Sequence, residues 1–321
     1  MKKKILVIRF SSIGDIVLTS PVIRCLHNKG YEVHYLCKQK FYSVVKNYTY
    51  IDKIYTFEKY PFHLLNTLKQ EDYYFIADLQ NNWKSRLLCV LLNRPYKGFP
   101  KLNFRKWLVV LTKQKWLLPK IHIVDRYFKT IEKLDVSNDL QGLDFFIDEN
   151  SISSKIKPFS EKKYIALVVG GSYYTKQIPL SKIEEILKTY PDNTFIAVGD
   201  KNDYQKIQPI ESKYPHLINL CGQTNIDESA YLIQYAQLVI TSDTGMMHIA
   251  AAFKKKIISL WGNTIPAFGM YPYMPAEGSV ILENNQLWCR PCSKLGYSYC
   301  PLGHFKCMNS LDIISTLKKF Q

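Results

Sequence analysis

Three loops of this chain carry residue types that suit an anionic ligand, and each lies between a strand-like run and a helix-like one. In the first, Arg9-Phe-Ser-Ser-Ile-Gly-Asp15, Gly14 permits a tight turn and Asp15 falls at the start of the following helix. There it is either a carboxylate at the mouth of a cleft or an ordinary helix cap. The second, Gly170-Gly-Ser-Tyr-Tyr-Thr-Lys-Gln-Ile-Pro179, sets two glycines, hydroxyls and Lys176 at a strand-to-helix turn. That composition suits a phosphate group, or else a solvated surface loop. The third, Thr241-Ser-Asp-Thr-Gly-Met-Met-His248, places the Thr244 hydroxyl and the backbone N–H groups from Gly245 and Met246 at a helix N-terminus, where an anion is stabilised. His248 follows Thr244 by four residues, so the two share a helix face. A lone histidine is usually structural, but this one shares its turn with an anion-binding hydroxyl. The dinucleotide fingerprint G-x-G-x-x-G is absent after the first strand, which argues against a dehydrogenase.

Alternating strands and helices must position these loops. The apolar run Ile5–Ile8 reads as a buried parallel strand, and the helix after the first loop runs to about Asn28, stopped by Gly30. Strands are expected over 31–37, 51–57 and 73–79, and helices over 41–47, 62–70 and 83–92. Residues 137–163, rich in Ser, Asn, Asp and Lys, break the rhythm and read as a linker or a domain edge. The alternation then restarts, with strands at 164–169, 194–198, 238–241 and 256–261. Helices are expected at 180–189, 203–213, 228–235 and 246–252, and again over 310–320. The fold class is therefore α/β, with two doubly wound halves. The expected domains are 1–158 and 159–308, followed by a terminal helix over 309–321.

Composition agrees with a globular protein of about two domains. Of 321 residues, 47% are apolar and 22% charged. No apolar run approaches the ~18–20 residues that span a bilayer. Lys2–Lys4 imitate the start of a signal peptide, but only Ile5–Ile8 follow before Arg9. A cytoplasmic location is expected. The net charge of +16 is uneven: residues 1–158 hold 27 basic and 14 acidic side chains, residues 159–321 only 16 and 13. Such a field attracts nucleic acid, acidic lipid or a phosphorylated glycan.

Several blocks resemble glycosyltransferase family 9, the lipopolysaccharide heptosyltransferases. They are the opening Ile5 to Pro21 with its Ser-Ser-Ile-Gly-Asp, then Asp78-Leu-Gln80, Thr175-Lys176, Ser242-Asp-Thr-Gly-Met-Met-His-Ile-Ala-Ala251 and Leu260-Trp-Gly-Asn-Thr264. They occur in the family's order along nearly the whole chain. The resemblance implies a GT-B fold, two Rossmann-like domains facing a central cleft, with the acceptor bound by 1–158, the nucleotide sugar by 159–308 and the terminal helix 309–321 crossing back onto the first domain. It also implies inverting, metal-free transfer of a heptose, usually from ADP-heptose, to a lipopolysaccharide core, with no cofactor beyond the nucleotide-sugar donor. Asp15 would then be the general base on the acceptor hydroxyl. Lys176 would hold the departing diphosphate, with Thr175 assisting. Thr244, Gly245 and Met246 would cap the phosphates, Asp243 would accept from donor hydroxyls, and His248 would support diphosphate or sugar. Ser12, Gly14, Asp78 and Gln80 fall on the acceptor side. No Asp-x-Asp motif is present, and no carboxylate can be placed for the ribose, although the loop 199–203 is the region expected to supply one. The alternatives are a related transferase with another nucleotide sugar, or a non-enzymatic polyanion-binding protein.

Two segments stand outside these blocks. Ten basic and no acidic residues occur between Lys84 and Lys120. Within this stretch, residues 104–118 hold Arg105, Lys106, Lys113, Trp107 and Trp116. This segment is expected on the acceptor side, gripping acceptor phosphates or an anionic membrane surface, or else it is a helix with a plain solvated face. The basic residues form no recognised nucleic-acid motif, so no nucleic-acid partner is expected. A monomer, peripheral at the inner membrane face, is. The four cysteines Cys289, Cys292, Cys300 and Cys307 have spacing that a structural zinc tolerates, but irregular gaps and two prolines favour a constrained loop of reduced or partly oxidised thiols. Cys25, Cys37, Cys89 and Cys221 read as reduced core thiols.

Overall fold

A computed structural model of the chain describes residues 2–320; the expected limits at Met1 and Gln321 fall outside these. The elements alternate as β1 (Lys4–Ile8), α1 (Ile13–Val17), α2 (Ser20–Asn28), β2 (Glu32–Lys38), α3 (Tyr42–Val45), β3 (Lys53–Phe57), α4 (Leu65–Gln70), β4 (Phe75–Asp78), α5 (Trp83–Leu92), β5 (Tyr96–Gly98), α6 (Asn103–Thr112) and α7 (Ile123–Ile131). The second run is β6 (Ile165–Val168), α8 (Leu180–Thr189), β7 (Phe195–Val198), α9 (Lys201–Lys213), β8 (Leu217–Asn219), α10 (Ile226–Tyr235), β9 (Leu238–Ser242), α11 (Gly245–Ala252), β10 (Ile257–Trp261), β11 (Val280–Glu283), α12 (Lys306–Asn309) and α13 (Ile313–Leu317).

Two parallel sheets result, ordered β3-β2-β1-β4-β5 and β11-β10-β9-β6-β7-β8. The central strands are apolar without alternation because both faces are covered. Ile5 to Ile8 and Ile165 to Val168 are all buried. Each sheet is doubly wound and Rossmann-like, as the β/α rhythm implies. The short strands β5, β8 and β11 escape a sequence reading, since three or four half-buried residues carry too little periodicity.

The partition of the chain differs from the expected one. One compact unit comprises residues up to Lys101 with Ile121–Phe146; the other comprises Leu102–Lys120 and everything from Ile147. The basic helix α6 thus belongs to the second unit, where Val109 and Leu118 pack with Ile265 and Phe268. Residues 138–146 are not a free linker. Asp139 and Asp144 both hold the buried Arg24, whose guanidinium keeps the Asp139 carboxyl down at about 2. The Tyr48 hydroxyl donates to the Asp144 carbonyl. The C-terminal segment packs on its own unit rather than crossing back. Ile313 and Leu317 enter the core around α8, and the Tyr190 hydroxyl donates to the Ile314 carbonyl at 3.1 Å. No helix among the described residues is long and apolar enough to cross a membrane.

Candidate functional site

Each sheet reverses its winding beside its first strand. β1 lies between β2 and β4, and β6 between β7 and β9. Ligands of open α/β sheets sit outside the carboxyl ends at such a switch point. In the first unit the loops there are 9–12 and 79–82; in the second they are 169–179 and 243–244. All three loops singled out in the sequence stand at these two points.

In the first unit the switch point presents a carboxylate. The Asp15 carboxylate accepts from the Ser12 hydroxyl at 2.9 Å and from the Ser12 backbone N–H at 3.2 Å, so it does cap α1. It is also ion-paired with the Arg9 guanidinium at 2.6 Å. Arg9 is buried and donates further to the Ser11 and Leu79 carbonyls. Burial opposes its charge, but Asp15 and the neighbouring tyrosines outweigh that and raise its pKa. Gly14 is buried under the turn. Gln80 holds the same loop from the other side, accepting from the Phe10 N–H at 2.9 Å. Asp78 is fully buried and its carboxylate accepts from Ser85 Oγ and the Gln80 and Asn81 N–H groups. Burial raises its pKa against those three donors. It therefore shapes the turn rather than facing a ligand. Lys101 was missed by sequence reasoning: burial and the nearby Arg9 lower its pKa, while Asp78 and Asp15 partly restore it. Only its place among ten basic residues could have pointed to it.

In the second unit the switch point presents a cation. Lys176 Nζ donates to Asp243 Oδ2 at 2.6 Å, and Thr264 Oγ1 donates to the same oxygen at 2.9 Å. Both side chains of the pair are mostly shielded. Thr244, Gly245 and Met246 are half-buried at the start of α11, with Thr244 as its extended N-cap. The Thr244 hydroxyl lies 3.2 Å from that of Thr241. His248 is buried. An ammonium and the first amides of a helix thus flank one carboxylate, an arrangement suited to a diphosphate beside a hydroxylated ligand.

Several expected site residues are otherwise employed. Thr175 is buried, and its hydroxyl accepts from the Tyr297 N–H at 2.8 Å. Asp200 and Asp203, in the region expected to supply a ribose carboxylate, both cap α9: Asp200 accepts from the Asn202 and Asp203 N–H groups, and Asp203 from that of Asp200. Of the basic residues on and just after α6, Lys113 donates to the Pro291 carbonyl at 2.9 Å and Lys106 stands 5.3 Å from the Phe268 ring centroid, while Arg105 is exposed. They lie in the second unit and not in the first, where the acceptor side was expected.

Sequence reasoning also missed what holds the cation in place. The buried Arg290 donates to the carbonyls of Gly262, Trp261 and Thr264, fixing the loop after β10 that carries Thr264. Tyr297 fixes Thr175 through its backbone. Gly262 must be glycine: a Cβ there would stand 2.7 Å from the Thr175 carbonyl oxygen and 2.9 Å from Met308. Arg290 and Tyr297 lie in the cysteine-rich segment, which therefore braces the Lys176 loop. Its four cysteines are free thiols. Burial raises the Cys292 pKa and takes that of Cys307 up to about 12. Among the described residues no three metal-ligating side chains are grouped to hold an ion.

Comparison with known proteins places this geometry in a family. The lipopolysaccharide heptosyltransferase 1 of Campylobacter coli is 25% identical over 288 residues, covering 81% of this chain and 84% of that protein. The structure of a family 9 glycosyl transferase from Veillonella parvula superposes with a TM-score of 0.72 at 21% identity, covering 88% of this chain and 86% of that one. That of the Escherichia coli ADP-heptose lps heptosyltransferase II gives 0.70 at 19% identity, over the full length of both. The architecture is accordingly GT-B. Residues 62–300 match the family described as glycosyltransferase family 9 (heptosyltransferase), and with its paired switch-point sites this chain belongs to that family of glycosyltransferases.

Proposed function

We propose that the protein transfers a heptose from ADP-heptose to a sugar of a lipopolysaccharide core, with inversion and without a metal. The observation that carries this reading is the Lys176–Asp243–Thr264 cluster at the mouth of α11, since it joins a fixed cation and helix amides to a carboxylate that accepts from hydroxyls. Lys176 and the amides of Gly245 and Met246 take the diphosphate, on which charge grows as the bond from the anomeric carbon to the phosphate oxygen breaks. Asp243 orients the sugar hydroxyls, and His248 backs the same turn. Asp15 takes the proton of the acceptor hydroxyl as its oxygen bonds to the anomeric carbon. Arg9 holds that carboxylate in place, and Ser12 and Gln80 hold its loop. Lys101 is the cation of the first unit for an acceptor phosphate.

The reading further assigns a monomer, peripheral at the cytoplasmic membrane face, with no nucleic-acid partner and no cofactor beyond the donor. The test is calorimetry with ADP-heptose and a panel of other nucleotide sugars, followed by transfer to a core acceptor read by mass spectrometry. Binding of ADP-heptose with a heptose mass added to the acceptor is the expected outcome. Selective binding of a different nucleotide sugar would overturn the donor, and binding of none would overturn the reading.

A further inference from the structure

A surface helix of a soluble protein has one apolar stripe, turned to its core. Helix α5 of the first unit has two. Leu88, Cys89 and Leu92 face inward and join the cluster around Leu6, Ile8 and Ile76. On the other side Trp83, Leu87, Val90 and Leu91 stand 64%, 43%, 58% and 39% exposed. Their spacing of i, i+4, i+7 and i+8 puts them on one line along the helix. Tyr60 extends the stripe at its N-terminal end: Lys84 Nζ lies 4.3 Å from the Tyr60 ring centroid and 5.5 Å from that of Trp83, and Lys59 Nζ lies 5.8 Å from Tyr60.

We propose that this outer stripe of α5, with Tyr60 at its end, is the surface by which the first unit rests on an anionic lipid bilayer. Aromatic rings flanked by lysines on an otherwise aliphatic helix face suit the boundary between headgroups and acyl chains. The rim is cationic as that surface requires. Lys59, Lys84 and Arg86 surround the stripe, and among the described residues none of the three is in an ion pair; Arg94, beyond its far end, is paired with Asp72. The chain carries no acidic residue between Asp78 and Asp125. A second copy of the chain is a poorer occupant, because a two-fold contact through the stripe would bring the three cations of each copy together. Helix α6 also exposes Phe104, Trp107 and Leu111 beside the exposed Arg105, but the lysines on and after it turn to their own unit, Lys106 to the Phe268 ring, Lys113 to the Pro291 carbonyl and Lys115 to Glu283 and Asn285. The inference rests on the proposed function for the presence of a lipid-anchored acceptor, but its test does not use transfer.

The full chain would be sedimented with phosphatidylcholine vesicles, with and without phosphatidylglycerol. Binding only to the anionic vesicles is expected. The triple variant W83E/L87E/V90E should lose roughly tenfold or more of that affinity, while its thermal unfolding and donor binding stay near those of the parent. K59Q/K84Q should lose the preference for phosphatidylglycerol. If the triple variant unfolds, L87Q/V90Q takes its place with the same expectation. No sedimentation of the parent with anionic vesicles, or unchanged binding of a folded stripe variant, overturns the proposal. So does a concentration-dependent dimer that the stripe variant dissolves, which would make the face a contact between copies. Failure of the parent to transfer heptose to a soluble, deacylated acceptor counts against the proposed function alone.

Discussion

The two switch points have the same topology and opposite chemistry. In the first unit a buried guanidinium stands behind a carboxylate, Arg9 behind Asp15; in the second a carboxylate stands beside an ammonium, Asp243 beside Lys176. Both are ion pairs at 2.6 Å. They differ in which partner is locked away. Arg9 is spent on the Ser11 and Leu79 carbonyls, so Asp15 is the group left facing outward. Asp243 is held by a second donor, Thr264, on the same oxygen that Lys176 meets, and an ammonium has three N–H groups of which this pair uses one. The same place in a Rossmann-like unit thus carries a carboxylate in one half and an ammonium in the other, and under the proposed function the first takes a proton and the second holds an anion.

The largest effect should come from the first site. Asp15→Asn should lower kcat by ~10²–10⁴-fold and leave donor affinity by calorimetry unchanged. Near-normal turnover at saturating donor would reduce Asp15 to the cap that its hydrogen bonds to Ser12 also describe. The second site should respond the other way. Lys176→Ala should weaken ADP-heptose binding and slow transfer by roughly 10²-fold, more than any lysine change in the first unit. Equal loss of donor affinity in both variants would erase the contrast.

A smaller effect tests the bracing of the second site. Thr264→Val should raise the donor KM about threefold to tenfold by freeing the Asp243 carboxylate, with kcat less affected, and Thr264→Ser should restore it. A valine variant with parental KM would remove Thr264 from the site. The smallest effect concerns pH. Because the Lys101 pKa is lowered, its ammonium is lost at a lower pH than an ordinary lysine's. The KM for a phosphorylated acceptor should therefore rise on the alkaline side, and Lys101→Arg should move that limb to higher pH. A limb that stays in place would exclude Lys101 from the acceptor side.

What could be read from the sequence follows from what is local. The loops at the two switch points are contiguous, so Gly14-Asp15, Thr175-Lys176 and Asp243-Thr244-Gly245 are visible as strings at strand ends. The central strands are visible because burial on both faces leaves runs such as Ile5–Ile8 with no polar interruption. What stayed hidden depends on partners far apart in the chain. Thr175 looks like a free hydroxyl until Tyr297, 122 residues later, is seen to hold it. Arg290 looks like part of a cysteine motif, although its hydrogen bonds go to the loop behind Thr264. Asp78 matches a family block, yet its carboxylate is fully occupied within its own turn. The path of α6 into the second unit has no local mark at all, since a basic amphipathic helix packs equally well wherever an apolar cleft receives it.

That path has a consequence for how the chain is made. Synthesis delivers residues 102–120 before the first unit is complete at Phe146, but Val109 and Leu118 are covered by Ile265 and Phe268. At roughly 5–20 residues per second the ribosome needs many seconds to reach that cover. During this interval the nascent helix displays its inner face as well as Phe104, Trp107 and Leu111 on its outer one. The first unit thus folds while an apolar segment within its own span of sequence still lacks its cover. A truncated chain ending near residue 150 should fold its sheet and still require a chaperone to stay in solution, and excising 102–120 in favour of a short polar turn should relieve that need.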